Sequence, residues 1–131
     1  MLKLEKYEQV YHLVSTVVGQ LADDSSQLQA IKACFPGGSI TGAPKKRAME
    51  IIEQLECEPR GLYTGVIGYL GFNGQSQFNI VIRTLVKEGG DLHYHVGAGI
   101  VADSDPESEY VETLQKASGI KLSVAAYRNR A

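Results

Sequence analysis

Apolar and polar positions change period several times along the chain. In QVYHLVSTVVGQL (9–21), Val10, His12, Val14, Thr16 and Val18 alternate with Tyr11, Leu13, Ser15 and Val17. Both sets are largely apolar and β-branched, which predicts a strand covered on both faces. Four valines and a threonine weigh against the rival helix. Asp23, Asp24, Ser25 and Ser26 then offer N-cap chemistry for a short helix over about 26–34, with Leu28, Ile31 and Ala33 or Cys34 on its apolar side. FPGGSITG (35–42) breaks that helix. A second one is predicted from near Ala43-Pro44 to about Leu55, since proline suits a first turn, where its missing N–H costs nothing. Ala48, Met49, Ile51, Ile52 and Leu55 form its expected buried stripe, with Lys45, Lys46, Arg47, Glu50 and Glu53 mostly outside it.

The period then shifts to two. LYTGVIGYLGF (62–72) and QFNIVIRTLVK (77–87) flank Asn73-Gly74, a strong hairpin signal because both central residues of a type I′ turn need positive φ. Gly89-Gly90-Asp91 marks the next turn, LHYHVGAGIVA (92–102) a third strand, and Asp103 to Pro106 the entry to a helix over about 106–126. Strand, helix, helix, three-strand meander, helix is an α+β order, an antiparallel sheet packed against helices. No internal linker breaks residues 1–131, so one domain is expected. The chain opens inside a strand-like segment, which predicts that it belongs to a larger polypeptide.

Composition narrows the function classes. The 131 residues suffice for one core, and 44% hydrophobic with 21% charged residues argue against disorder. A formal net charge of −2 gives no basic face for nucleic acid or a membrane surface. No apolar stretch approaches the ~20 residues that span a bilayer, and MLKLEKYEQVYHLV lacks a signal-peptide core. Cys34 and Cys57 form no metal-ligand pair and read as one core and one loop thiol in a reducing cytoplasm.

Four groups of residues could carry chemistry. PGGSITGAPK (36–45) runs into a helix start, and its N–H groups with the Ser39 and Thr41 hydroxyls could hold an anion; a capped helix start is the plainer reading. Gly97, Ala98 and Gly99 at a strand end would let a ligand approach the backbone, or mark a bulge. Glu109, Glu112 and Lys116 share one face of the last helix. Two such carboxylates suit Mg²⁺, which takes one or two carboxylates plus substrate groups and water; a solvated face with a Glu–Lys pair is the alternative. Arg83 within FNIVIRTLV needs an anionic partner if buried and would grip a carboxylate through two parallel N–H bonds, or it faces water on an edge strand. His12 in an apolar strand and Tyr69 both read first as structural residues.

These pieces together resemble the chorismate-binding family, which includes anthranilate synthase component I and aminodeoxychorismate synthase component I. The matching stretches are HLVSTVVGQL (12–21), CFPGGSITGAPKKRAMEIIEQLE (34–56), GVIGYLGFNG (65–74), IVIRT (80–84) and GAGIVADSDPESEYVETLQKA (97–117). Within the family, FPGGSITGAPK is most similar to the aminodeoxychorismate synthases; anthranilate synthases more often carry an alanine and threonine version. The resemblance implies a Mg²⁺-dependent enzyme that replaces the C4 hydroxyl of chorismate with ammonia delivered by a glutamine amidotransferase subunit. The product, 4-amino-4-deoxychorismate, leads to p-aminobenzoate and folate. By the same resemblance Arg83, Tyr69 and the backbone of Gly97 to Gly99 bind substrate carboxylates, and Ser39 lies near the substrate ring. His12 matches the active-site histidine, Glu112 with Glu109 the Mg²⁺ end, and Lys116 a basic residue of the same helix.

The sequence also departs from the family. The P-I-K-G-T motif with its proposed nucleophilic lysine is absent, as is the upstream acidic motif that completes the Mg²⁺ shell. The chain alone is therefore expected to be inactive or nearly so, and its open sheet edges favour self-association. A non-catalytic module that keeps the fold is the alternative of a different class.

Overall fold

Short-range chemistry decides where the helices begin. In the computed structural model, which describes residues 3–6 and 11–129 (of His12 and Leu13 the backbone only), the chain divides into two units, Met1–Phe35 and Pro36–Ala131. In the first unit, β1 (Lys3–Lys6) pairs antiparallel with β2 (Tyr11–Val14), Lys3 opposite Val14 and Lys6 opposite Tyr11. The predicted strand 9–21 is thus much shorter: Gln9 and Val10 lie outside the described residues, and 15–20 adopt no regular secondary structure. Helix α1 (Gln27–Cys34) starts at a full capping box. Ser26 Oγ accepts from the Gln29 N–H at 3.3 Å, and Gln29 Oε1 accepts from the Ser26 N–H at 2.7 Å.

The second unit opens with a short helix inside the glycine-rich loop, α2 (Gly38–Thr41), where the sequence predicts only a break. Gly42 follows with φ 113°, and a methyl there would lie 3.2 Å from the Ala48 Cβ, so glycine is needed for the return into α3 (Lys45–Leu55). The helix begins next to Ala43-Pro44 and ends at Leu55 as expected, with Pro44 at the N-cap of α3. The expected buried stripe of α3 is not found. Met49, Ile51 and Leu55 are exposed, because among the described elements only α2 packs on this helix.

The α+β class holds, but the meander is two separate hairpins. β3 (Val66–Leu70) pairs with β4 (Ser76–Ile80), and β5 (Val86–Glu88) with β6 (Asp91–His93). Two left-handed residues cut the predicted strands short. Thr64, φ 63°, ends a turn ahead of β3, and Arg83, φ 51°, bends the chain between β4 and β5. The third strand is only three residues long, and residues 94–101 run without regular structure. The Asn73-Gly74 turn is wider than predicted. Only Gly74 of the pair has positive φ, and Asn73 Oδ1 accepts from the Gln75 N–H at 3.1 Å, closing a five-residue loop. Gly89 at φ 58° makes the tight second turn as expected.

Helix α4 (Pro106–Arg128) is capped by Asp105, whose Oδ1 accepts from the Ser108 N–H at 2.9 Å and the Ser108 hydroxyl at 2.7 Å. These bonds hold the Asp105 carboxyl below its usual range. Among the described residues Val81 and Ala117 are the buried apolar side chains. Cys34 and Cys57 are both exposed, so the expected core thiol is absent. No described helix is long and apolar enough to cross a membrane.

Candidate functional site

Two polar side chains of the second unit meet at Gly97. From one side comes α4, where Lys116 Nζ donates to the Gly97 carbonyl at 3.1 Å and pairs with Glu112 Oε1 at 2.5 Å, one helical turn away. From the other side comes Tyr63, whose hydroxyl oxygen stands 2.8 Å from where a methyl on Gly97 would be. A side chain at 97 would therefore displace the Tyr63 hydroxyl, so glycine there serves the close approach and not a special φ.

Tyr63 is the residue that the sequence reading missed. Its ring stacks on His95, centroids 5.4 Å apart and planes 15° from parallel, and the Arg60 guanidinium carbon lies 5.8 Å from its centroid. Arg60 grips Glu56 with two bonds, 2.7 Å from Nε and 2.5 Å from Nη2. The hydrogen bond from Arg60 holds the Glu56 carboxyl below its ordinary range, while burial pushes the Tyr63 phenol up. The available signal was Glu56 four residues before Arg60, with Tyr63 three residues on. That spacing runs past the end of α3, where helix-face reasoning stops.

The ten residues named from sequence fall in different places. Gly97, Lys116 and Glu112 are brought together as described. Glu109 lies on the same helix, its Oε1 accepting from the Ser104 hydroxyl at 2.5 Å; its Oε2 is shielded and has no hydrogen-bond partner among the described residues. Ala98 and Gly99 continue the irregular segment beyond Gly97. Ser39 is exposed on α2, and Tyr69 is exposed on β3 opposite Gln77. Arg83 occupies the bend after β4 and not a strand interior. His12 lies in β2, and its side chain is outside the described residues.

An open cavity of about 240 Å³ lies beside this cluster, lined among others by Arg60, Tyr63, Val81, Thr84, His93 and His95. None of the ten residues lines it. No three His, Cys, Asp or Glu side chains gather as a metal shell among the described residues. The orphaned Glu109 oxygen one turn from Glu112 still fits a hard cation that keeps water and substrate as further ligands.

Residues 1–121 match the family described as chorismate binding enzyme. The chain belongs to that family. This chorismate-binding-family chain is 54% identical over 122 residues to anthranilate synthase component 1 1 of Haloarcula marismortui, covering 93% of the chain and 25% of the relative. It is 54% identical over 121 residues to aminodeoxychorismate synthase component 1 of Bacillus subtilis, covering 92% and 26%. It is 52% identical over 131 residues to anthranilate synthase component 1 of Synechocystis, covering 96% and 26%. The chain thus spans about a quarter of the length of these relatives.

Proposed function

We propose that the chain forms the C-terminal, substrate-gripping part of an aminodeoxychorismate synthase component I, which aminates chorismate with ammonia and releases water. One continuous set of contacts carries this reading. The Val81 N–H donates to the Gly65 carbonyl at 2.9 Å, and the Thr64 N–H donates to the Val81 carbonyl at 2.8 Å. That ties the segment bearing Arg83 to the turn bearing Tyr63; Tyr63 abuts Gly97, and Gly97 is held by Lys116 of the carboxylate helix. A dianionic ring acid needs such a set: a guanidinium, a phenol and glycine-lined amides at its carboxylates, and acidic oxygens for a cation.

Glu109 and Glu112 would hold Mg²⁺, which supplies Lewis-acid charge stabilisation when bound. Arg83 orients one carboxylate, and the Tyr63 hydroxyl, a neutral phenol, donates to it at the Gly97 peptide. Tyr69 and Ser39 keep the roles given by the resemblance, Tyr69 at a substrate carboxylate and Ser39 near the ring, and His12 that of the active-site histidine. Ammonia comes from a glutamine amidotransferase subunit.

Arg83→Ala should weaken chorismate binding by about one to two decades, the loss of a charge-assisted pair of roughly 1.5–3 kcal/mol. Titration calorimetry with chorismate and Mg²⁺ checks this, and unchanged affinity sinks the reading. Anthranilate synthase is the second reading, favoured by the relatives of that name at up to 54% identity. Product analysis of the complete enzyme with chorismate and ammonium separates the two. Aminodeoxychorismate accumulates in the first case; fluorescent anthranilate with pyruvate appears in the second.

A further inference from the structure

We propose that the Glu56–Arg60 ion pair and the His95 ring are positioning residues that hold the Tyr63 phenol at the Gly97 peptide, where a substrate carboxylate docks. The inference rests on the chorismate-binding reading for the identity of that carboxylate; the positioning itself rests on geometry. Arg60 is not arranged as an anion receptor. Nε and Nη2 are bound to Glu56, and Nη1 donates to Thr64 Oγ1 at 3.2 Å, so all three nitrogens are engaged within the chain. Its charge is matched by Glu56, and its side chain is only 24% exposed. Its guanidinium carbon lies over the Tyr63 ring, within cation–π range.

The anchors at each end of this arm are backbone-fixed. The Glu56 N–H caps α3 by donating to the Ile52 carbonyl at 2.9 Å. Thr64 sits at φ 63°, a costly conformation for a β-branched residue, and is pinned by its N–H to the Val81 carbonyl and by its hydroxyl to the Tyr63 carbonyl at 2.6 Å. A rigid fork between a helix end and a strained turn leaves the tyrosine little rotational freedom. His95 supplies a stacking surface for the same ring, two residues from Gly97 itself. Guanidinium and imidazole both contact the phenol ring, and the phenol hydroxyl and the Gly97 peptide are the groups presented for binding.

A charge swap separates positioning from simple stabilisation. Glu56→Arg/Arg60→Glu restores an ion pair but removes the guanidinium from the ring and from Thr64. Arg60→Lys keeps the charge and loses the fork. Three quantities are measured on the 131-residue chain: melting temperature, the nuclear Overhauser contact between the Tyr63 ring and Gly97, and affinity for chorismate with Mg²⁺. The swap is expected to melt like the parent while losing the Tyr63–Gly97 contact and about tenfold in affinity. Arg60→Lys should lose the same contact. A swap variant that binds chorismate as tightly as the parent, or a contact that persists in both variants, overturns the proposal. Should the parent take up no chorismate, the functional reading fails, and the Tyr63–Gly97 contact alone decides the positioning role.

Discussion

Two tyrosines six residues apart show two ways of ordering a side chain. Tyr69 belongs to the β3–β4 hairpin, where register comes from the backbone ladder and the ring stands 57% exposed opposite Gln77. Tyr63 belongs to a turn with no ladder of its own, yet its ring is stacked on His95, faced by Arg60 and set against Gly97. Regular structure fixes the first residue's backbone and leaves its side chain to solvent. Irregular structure fixes the second residue's side chain, through partners that reach it from a helix end and from the 94–101 segment. Functional hydroxyls need the second kind of order, since a rotamer left free must be immobilised when ligand binds.

The contrast breaks most strongly at Gly68. A methyl there would collide with the Gln77 carbonyl oxygen and lie 2.6 Å from the Phe78 ring, and the backbone oxygen cannot swing aside. Gly68→Ala should cost about 3 kcal/mol and open the hairpin, with urea denaturation as the readout. The Tyr63–Gly97 contact should survive that change if the two kinds of order are separate. Truncating the tyrosines sharpens the comparison at smaller scale. Tyr63→Ala should cost about 2 kcal/mol, roughly half the loss for a fully buried aromatic, and Tyr69→Ala less than about 0.5 kcal/mol. Equal losses in the two variants would show that Tyr63 is no better held than Tyr69.

Local chemistry was legible in the sequence, and long-range chemistry only in part. Ser26, Asp105 and Gly89 announce their caps and turn because each acts on residues within three or four positions. Glu112 and Lys116 announce themselves as neighbours by helical spacing, but nothing in that spacing reveals that the ammonium reaches Gly97, 19 residues away. The strands expected over 62–72 and 77–87 are cut short because Thr64 and Arg83 take positive φ without being glycine. Both sit in apolar alternation that continues through them, so periodicity carries no trace of the bend. Tyr63 and Tyr69 both lie in LYTGVIGYLGF, and only the fold shows that Tyr63 stands against Gly97.

The smallest expected effect is also the most selective, and acid supplies it. The Arg60 hydrogen bond lowers the Glu56 carboxyl, helped by the nearby charges of Arg60 and His95 and opposed by burial. A carboxyl depressed in the folded chain contributes stability that is complete above its ordinary value of 4.5 and is lost as pH falls below that through the depressed one. The pair is partly open to water, so the energetic change is small. Its structural consequence is local: protonated Glu56 releases Arg60, and the ring of Tyr63 loses one of its two flanking partners. The hairpin has no counterpart to this, because VIGYLGFNGQSQFNI (66–80) contains no acidic, basic or histidine side chain. Acid titration followed by nuclear Overhauser contacts should therefore erase Tyr63–Gly97 well below pH 4.5 while Gly68–Phe78 persists. Simultaneous loss of both would mean that one cooperative unit holds the two tyrosines, and that the distinction between them is one of exposure alone.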